Sequence, residues 1–264
     1  EIKLIHETRN GMEVLYMTDV LTGWCEGLNE HGIGIVNTAL LVVRDEREGA
    51  DNLKKKPFKR LDGERALHAL EQADVRAAIE SIKEYKGGLP GHTMISDGKR
   101  TYNVELVKED TKEVPAEAIV SFLDPFERHI RTNHGIDIPG AGYQHGADYE
   151  SSISRYNTTV RVMEDVNLPE DIGPALVANR MADRHHPNNM VRDTQNMKTT
   201  SQLVLNLDKK ELLLYIIPDK VKYLGYENRL PDGYRPKLTA KVMEYSSSSG
   251  DYIEETVKVV SEDL

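Results

Sequence analysis

Cys25 is the one thiol in the chain, and His185-His186 is its one adjacent histidine pair. Neighbours in sequence point in different directions on a helix or strand, so the pair is poorly placed to grip one ion, and no metal is expected. There is no His-Glu-x-x-His, no Gly-x-x-x-x-Gly-Lys, no Gly-x-Ser-x-Gly and no Gly-x-Gly-x-x-Gly. Zincin, P-loop, α/β-hydrolase and dinucleotide signatures are therefore all missing, and no cofactor is expected. Polar residues of other kinds are present: Asn37 and Thr38 close a strand-like run, Asn133 lies within Arg131-Thr132-Asn133-His134-Gly135, and Arg155 within Ser151-Ser152-Ile153-Ser154-Arg155-Tyr156. An asparagine amide donates without titrating, and an arginine keeps its charge at any working pH. Taken alone, Asn133 reads as a turn residue ahead of Gly135, and Arg155 as an exposed helix residue in a surface ion pair.

These side chains need a scaffold, and the chain can build one. Its 264 residues, 39% hydrophobic and 30% charged, suffice for one substantial core without demanding a second domain. A net charge of −10 disfavours a nucleic-acid backbone as partner. The basic cluster Lys54-Lys55-Lys56 falls in a charge-dense stretch, 44–60, that reads as a solvated loop. Apolar runs such as 212–217 are too short to span a bilayer, and no signal peptide opens the sequence, so a soluble protein is expected, with the cytoplasm favoured. One cysteine permits no internal disulfide.

Ile2 to Glu7 and Met12 to Thr18, separated by Asn10-Gly11, predict a β-hairpin, and Trp24 to Leu28 with Ile33 to Val43 predict a second one. Asp62 and Asp74 are placed to cap two helices, the second carrying Val75, Ala78, Ile79 and Ile82 on one face and ending at Gly87-Gly88. Strands follow at 92–96, 102–107, 118–122 and 129–132. Ile153, Tyr156, Val160 and Met163 then repeat at helical spacing, and Pro169 suits the first turn of a further helix toward Met181. Leu203 to Leu207 and Glu211 to Ile217 form a late hairpin around Asp208-Lys209-Lys210. Ser246 to Gly250 reads as a flexible link to a last strand at 256–260. Strands, paired helices, strands, helices and strands again describe an α+β fold: a four-layer αββα sandwich of two antiparallel sheets covered by helices.

Three segments in a fixed order carry a resemblance to a family. Gly23-Trp24-Cys25-Glu26-Gly27-Leu28-Asn29-Glu30-His31-Gly32-Ile33-Gly34-Ile35-Val36-Asn37 resembles the strand-turn-strand element of N-terminal-nucleophile (Ntn) hydrolases related to isopenicillin N acyltransferase and choloylglycine hydrolase. The segment 131–135 is similar to their Thr-Asn-His or Thr-Asn-Ser stretch, and 151–156 to the Ser-to-Arg start of a helix soon after it. Thr199-Thr200-Ser201-Gln202 is a weaker fourth match. The resemblance implies an αββα fold and hydrolysis or transfer of an acyl group at a linear amide. In that mechanism a Cys, Ser or Thr at the chain's N-terminus attacks the carbonyl while its own α-amine serves as base. Asn133 would then donate to the oxyanion, Arg155 would supply fixed charge near the nucleophile, and Asn37 and Thr38 would contact substrate. The partner implied is a small acyl amide or thioester, with no nucleic acid and no membrane, and a homo-oligomer is compatible.

The chain departs from that pattern at its start, since Glu1 has neither hydroxyl nor thiol. The expectation is a single domain over 1–264 whose first strand and nucleophile, a cysteine for preference, lie upstream of Glu1 and are exposed by autoprocessing. The competing expectation is a catalytically inactive Ntn-fold structural or assembly protein. Cys25 is expected to be a structural thiol, because a chain cut before it would lose the first hairpin.

Overall fold

The fold is seen in a computed structural model that describes residues 1–40, 61–85, 91–107, 117–124, 127–138, 147–164, 166–167, 171–172, 175, 201–216, 221–246, 248–249 and 251–255. The expected turn at Gly87-Gly88, the helix after Pro169 apart from residues 171–172 and 175, the lysine cluster, His185-His186, residues 199–200 and the strand at 256–260 lie outside them.

Both early hairpins form. β1 (Ile2–Arg9) pairs antiparallel with β2 (Met12–Asp19), and Asn10 and Gly11 take the positive φ angles, 50° and 79°, that a two-residue turn requires. β3 (Cys25–Asn29) and β4 (Gly34–Ala39) follow. Their turn is organised by Asn29, which is fully buried. Its Oδ1 accepts the backbone N–H groups of His31 and Ile33, both at 3.0 Å, and its Nδ2 donates to the Leu70 and Gln72 carbonyls, both at 2.9 Å. One side chain thus closes the hairpin and holds the end of the next helix.

That helix, α1 (Leu61–Leu70), is joined by α2 (Val75–Glu84). Asp62 lies inside α1 rather than capping it. Asp74 does cap α2, its carboxylate accepting from the N–H groups of Arg76 and Ala77 at 2.9 Å, and the buried face is Val75, Ala78, Ile79 and Ile82 as the spacing requires. Asp74→Ala is expected to cost about 1 kcal/mol in urea unfolding, the usual value of a lost cap. α1 approaches the sheet so closely that a Cβ on Gly63 would stand 1.8 Å from the Gly23 carbonyl oxygen.

β5 (Gly91–Ser96), β6 (Thr101–Val107), β7 (Glu117–Leu123) and the late strand β10 (Tyr223–Arg229) complete the large sheet, which runs β10-β1-β2-β3-β4-β5-β6-β7. α3 (Ala147–Glu164) comes next, and a smaller sheet is ordered β12-β11-β9-β8, from β8 (Ser201–Asn206), β9 (Glu211–Ile216), β11 (Thr239–Ser246) and β12 (Asp251–Glu255). The two sheets stack. Ile2, Leu4, Leu15, Met17 and Leu28 from the large sheet pack on Leu212, Leu214, Ile216 and Val242 from the small one. The large sheet's other face packs Ile5, Val14, Tyr16, Ile35, Ile95 and Val104 against α1 and α2. The expected α+β architecture, sheet on sheet with helices outside, is therefore present.

Two expectations are corrected. Both sheets are mixed, because β10 (Tyr223–Arg229) crosses to the large sheet and pairs parallel with β1, and β11 pairs parallel with β9. Ser246 pairs with Asp251, so β11 and β12 are joined antiparallel. Residues 129–132 are not a strand; they begin a segment laid over the large sheet.

Candidate functional site

Period two along the strands decides which residues share a face. A Cβ on Gly34 would meet Leu205 and Leu207 of the small sheet, so Gly34, and with it Thr38, faces the inside of the stack. Thr38 pairs across strands with His92, and His92 with Glu105. A row of polar side chains therefore crosses β4, β5 and β6, where a sheet core would be apolar. The segment 131–138 lies over it.

Each member of the row holds that segment at a different point. Thr38 Oγ1 accepts from Asn133 Nδ2 at 3.1 Å, and His92 Nε2 donates to the His134 carbonyl at 2.8 Å. The fully buried Glu105 carboxylate accepts the consecutive backbone N–H groups of Ile136 at 3.0 Å, Asp137 at 2.7 Å and Ile138 at 3.2 Å. Nε2 of His92 carries a proton, and in the neutral ring Nδ1 is the acceptor for Asn103 Nδ2 at 3.3 Å. Burial pushes the His92 pKa down, partly opposed by its bond to the His134 carbonyl and by Glu105. His134 is pushed down as well, by burial and then by His92 and Arg155. Its Nδ1 lies 3.0 Å from both Thr132 Oγ1 and Ser152 Oγ.

α3 supplies the other side. Ser152 and Arg155, three apart and so neighbours on the helix surface, both address Asn133: Ser152 Oγ accepts its backbone N–H at 2.8 Å, and Arg155 Nη2 donates to its Oδ1 at 2.9 Å. Arg155 thereby fixes which way the amide faces, because Oδ1 must meet the guanidinium. Nδ2 is then turned to Thr38 and to the Ala39 carbonyl at 2.6 Å. Asn133, Arg155 and Thr38, 117 residues apart at the extremes, share one hydrogen-bonded cluster.

Asn37 is not brought into it. It faces the helix side of the sheet, where Thr93 Oγ1 donates to its Oδ1 at 2.8 Å and its Nδ2 donates to the Cys25 carbonyl at 3.1 Å. Cys25 is buried, with its thiol pushed well up by burial and then by Glu26, the opposite of an activated nucleophile. Glu1 stands at the same end of the large sheet as Thr38, with β2 and β3 between their strands, a separation of about 14 Å by ordinary strand spacing.

Sequence reading passed over three groups here. Glu105 and His92 could have been suspected as polar residues in period with Thr38 on otherwise apolar strands. Glu26 sits on β3, facing inward, beside the end of β4. Its Oε1 accepts the Asn37 N–H at 2.8 Å, and the Trp24 side chain also donates to it, yet burial dominates and raises its pKa to about 7. The folded protein thus holds this proton more tightly than the unfolded chain does. Its contribution to stability is complete below pH 4.5, the ordinary value, and is lost as pH rises through 7. Between those limits the wild type should lose about 2–3 kcal/mol relative to Glu26→Gln, which keeps the acceptor but does not titrate. Parallel urea titrations at pH 4.5 and 7.5 would check this, and identical pH slopes in the two proteins would contradict it.

Among the described residues no three His, Cys, Asp or Glu side chains gather as a metal site, and no helix is long and apolar enough to cross a membrane. No protein-family profile matches the chain, and no curated protein does. Among solved structures the chain is similar to penicillin V acylase from Agrobacterium tumefaciens, with 11% identity, 78% of this chain and 69% of that chain covered, and a TM-score of 0.38.

Proposed function

We propose that this chain is the body of an Ntn-type amidohydrolase or acyltransferase acting on linear amides. In this reading Asn133 donates to the oxyanion of the tetrahedral intermediate, and Arg155 orients that amide and supplies fixed positive charge. The single observation that carries it is the Arg155 to Asn133 bond, which presets a non-titrating donor on the inner face at the β4 end, next to Thr38. Preorganised donors of this kind cost nothing to reorganise during reaction, which is their catalytic value. The attacking group is not assigned to any of residues 1–264, and Cys25 is unsuited to the part. Hydrolysis and transfer share the acylation step and differ only in whether water or an amine enters next. The test is release of 4-nitroaniline from a panel of N-acyl-4-nitroanilides by the native protein, repeated with Asn133→Ala.

One observation favours a second reading, a catalytically inactive Ntn-fold structural protein. Both N–H bonds of the Asn133 amide are already engaged, by Thr38 and Ala39, so the amide also works as a tie between β4 and the segment over it. No turnover of any nitroanilide, with no covalent adduct from a thiol- or hydroxyl-directed acylating probe, would decide for this reading.

A further inference from the structure

Arg131 lies two residues before Asn133, and burial alternates along the segment: Thr132 and His134 are buried, Arg131 and Asn133 only partly so. Arg131 and Asn133, two residues apart, are therefore the less enclosed members of this stretch. Every other charged group nearby is spent, although the buried Asn103 Oδ1 also has no partner. Glu105 is taken by three backbone N–H groups, Asp137 Oδ2 accepts from Asn103 at 3.1 Å, and Arg155 is bonded to Asn133. Arg131 is not. Its Nη1 donates to the adjacent Ile130 carbonyl at 2.9 Å, its buried Nε has no acceptor, and among the described residues no carboxylate pairs with it. Its charge also bears on the rings of both His92 and His134, less strongly than burial does.

A guanidinium held with a desolvated, unpaired donor is costly unless something completes it. Its planar fork matches a carboxylate in bidentate geometry. We propose that Arg131 is the recognition residue for a carboxylate carried by the substrate, so that the preferred substrates are amides whose acyl group ends in a second, anionic carboxyl.

This rests on the amidohydrolase reading, and the test separates the two. One arm measures kcat/KM of the native protein for succinyl-4-nitroanilide and its uncharged counterpart butyryl-4-nitroanilide. The succinyl preference should fall at least about tenfold in Arg131→Gln and recover in part in Arg131→Lys. The other arm needs no turnover: glutarate binding by calorimetry should weaken at least about tenfold in Arg131→Gln, with a melting temperature equal to or above wild type because an unpaired buried donor has been removed. Glutarate binding that depends on Arg131 in a protein that cleaves neither amide would support the anion site and sink the enzyme. Cleavage of butyryl-4-nitroanilide with no glutarate binding, or with binding unaltered in Arg131→Gln, would overturn the site and leave the enzyme standing. Arg131-dependent binding of inorganic phosphate without glutarate binding would overturn the carboxylate assignment. A melting temperature lowered in Arg131→Gln and restored by Arg131→Lys, at unchanged glutarate affinity, would assign Arg131 to structure alone.

Discussion

Glu105→Leu should lower the unfolding free energy by about 3–5 kcal/mol, the range for removing one partner of a buried charged network. The carboxylate is fully buried and receives the N–H groups of Ile136, Asp137 and Ile138, and the His92 ring lies 3.6 Å away. Leucine fills much of the volume but leaves three desolvated donors without acceptors, and each lost partner costs about 1–3 kcal/mol. Glu105→Gln should recover little of the loss, because one carboxylate oxygen becomes an NH2 that faces donors with a donor. Urea denaturation gives the total. Hydrogen exchange locates it: the amides of 136–138 should lose protection well before those of β1 and β2. A loss under about 1 kcal/mol, or protection unchanged at 136–138, would mean that the segment is held from elsewhere.

That prediction ties fold to site, since the same segment carries Asn133, and it shows why sequence reading found one and only half of the other. Three features set by local chemistry were legible. Asn10-Gly11 demanded a tight turn, Asp74 a cap, and the Val75, Ala78, Ile79, Ile82 spacing an amphipathic helix, and all three are there. β10 was missed because an edge strand paired on one side has weak alternation, with Gly225 in its middle and Glu227, Asn228 and Arg229 at its end. The parallel pairings were missed because they join elements far apart in the chain, and nothing in a strand's own residues names its partner. Of the site residues, Asn133, Arg155 and Thr38 meet, but Asn37 faces the other side of β4. Adjacent strand residues always diverge in this way, so Thr38 and Asn37 could not both have faced Asn133. Glu105 was invisible for a related reason. A lone glutamate in an alternating strand reads as solvent-facing, and only the segment folded over it, 31 residues further on, turns that face into an interior.

On the proposed amidohydrolase reading, Asn133→Ala should lower kcat toward a linear amide by about 10²–10³-fold, which corresponds to about 2.7–4 kcal/mol of transition-state stabilisation from one oxyanion donor. KM should move far less, because an uncharged carbonyl gains little from the donor before charge develops. The resting geometry makes the prediction more specific. Nδ2 spends one N–H on Ala39 at 2.6 Å and the other on Thr38 at 3.1 Å, so an oxyanion can gain a donor only by taking over the longer of the two bonds. Thr38→Val keeps the shape and removes the competing acceptor. For a catalytic amide, kcat should then rise, by up to a few fold, while Asn133→Ala makes it fall. An amide that only ties β4 to its cover gives a different pattern: both variants lose stability, and neither moves kcat apart from the fraction unfolded. Measuring kcat and urea midpoints together on the same preparations separates the cases, because a structural tie couples the two quantities and a transition-state donor does not.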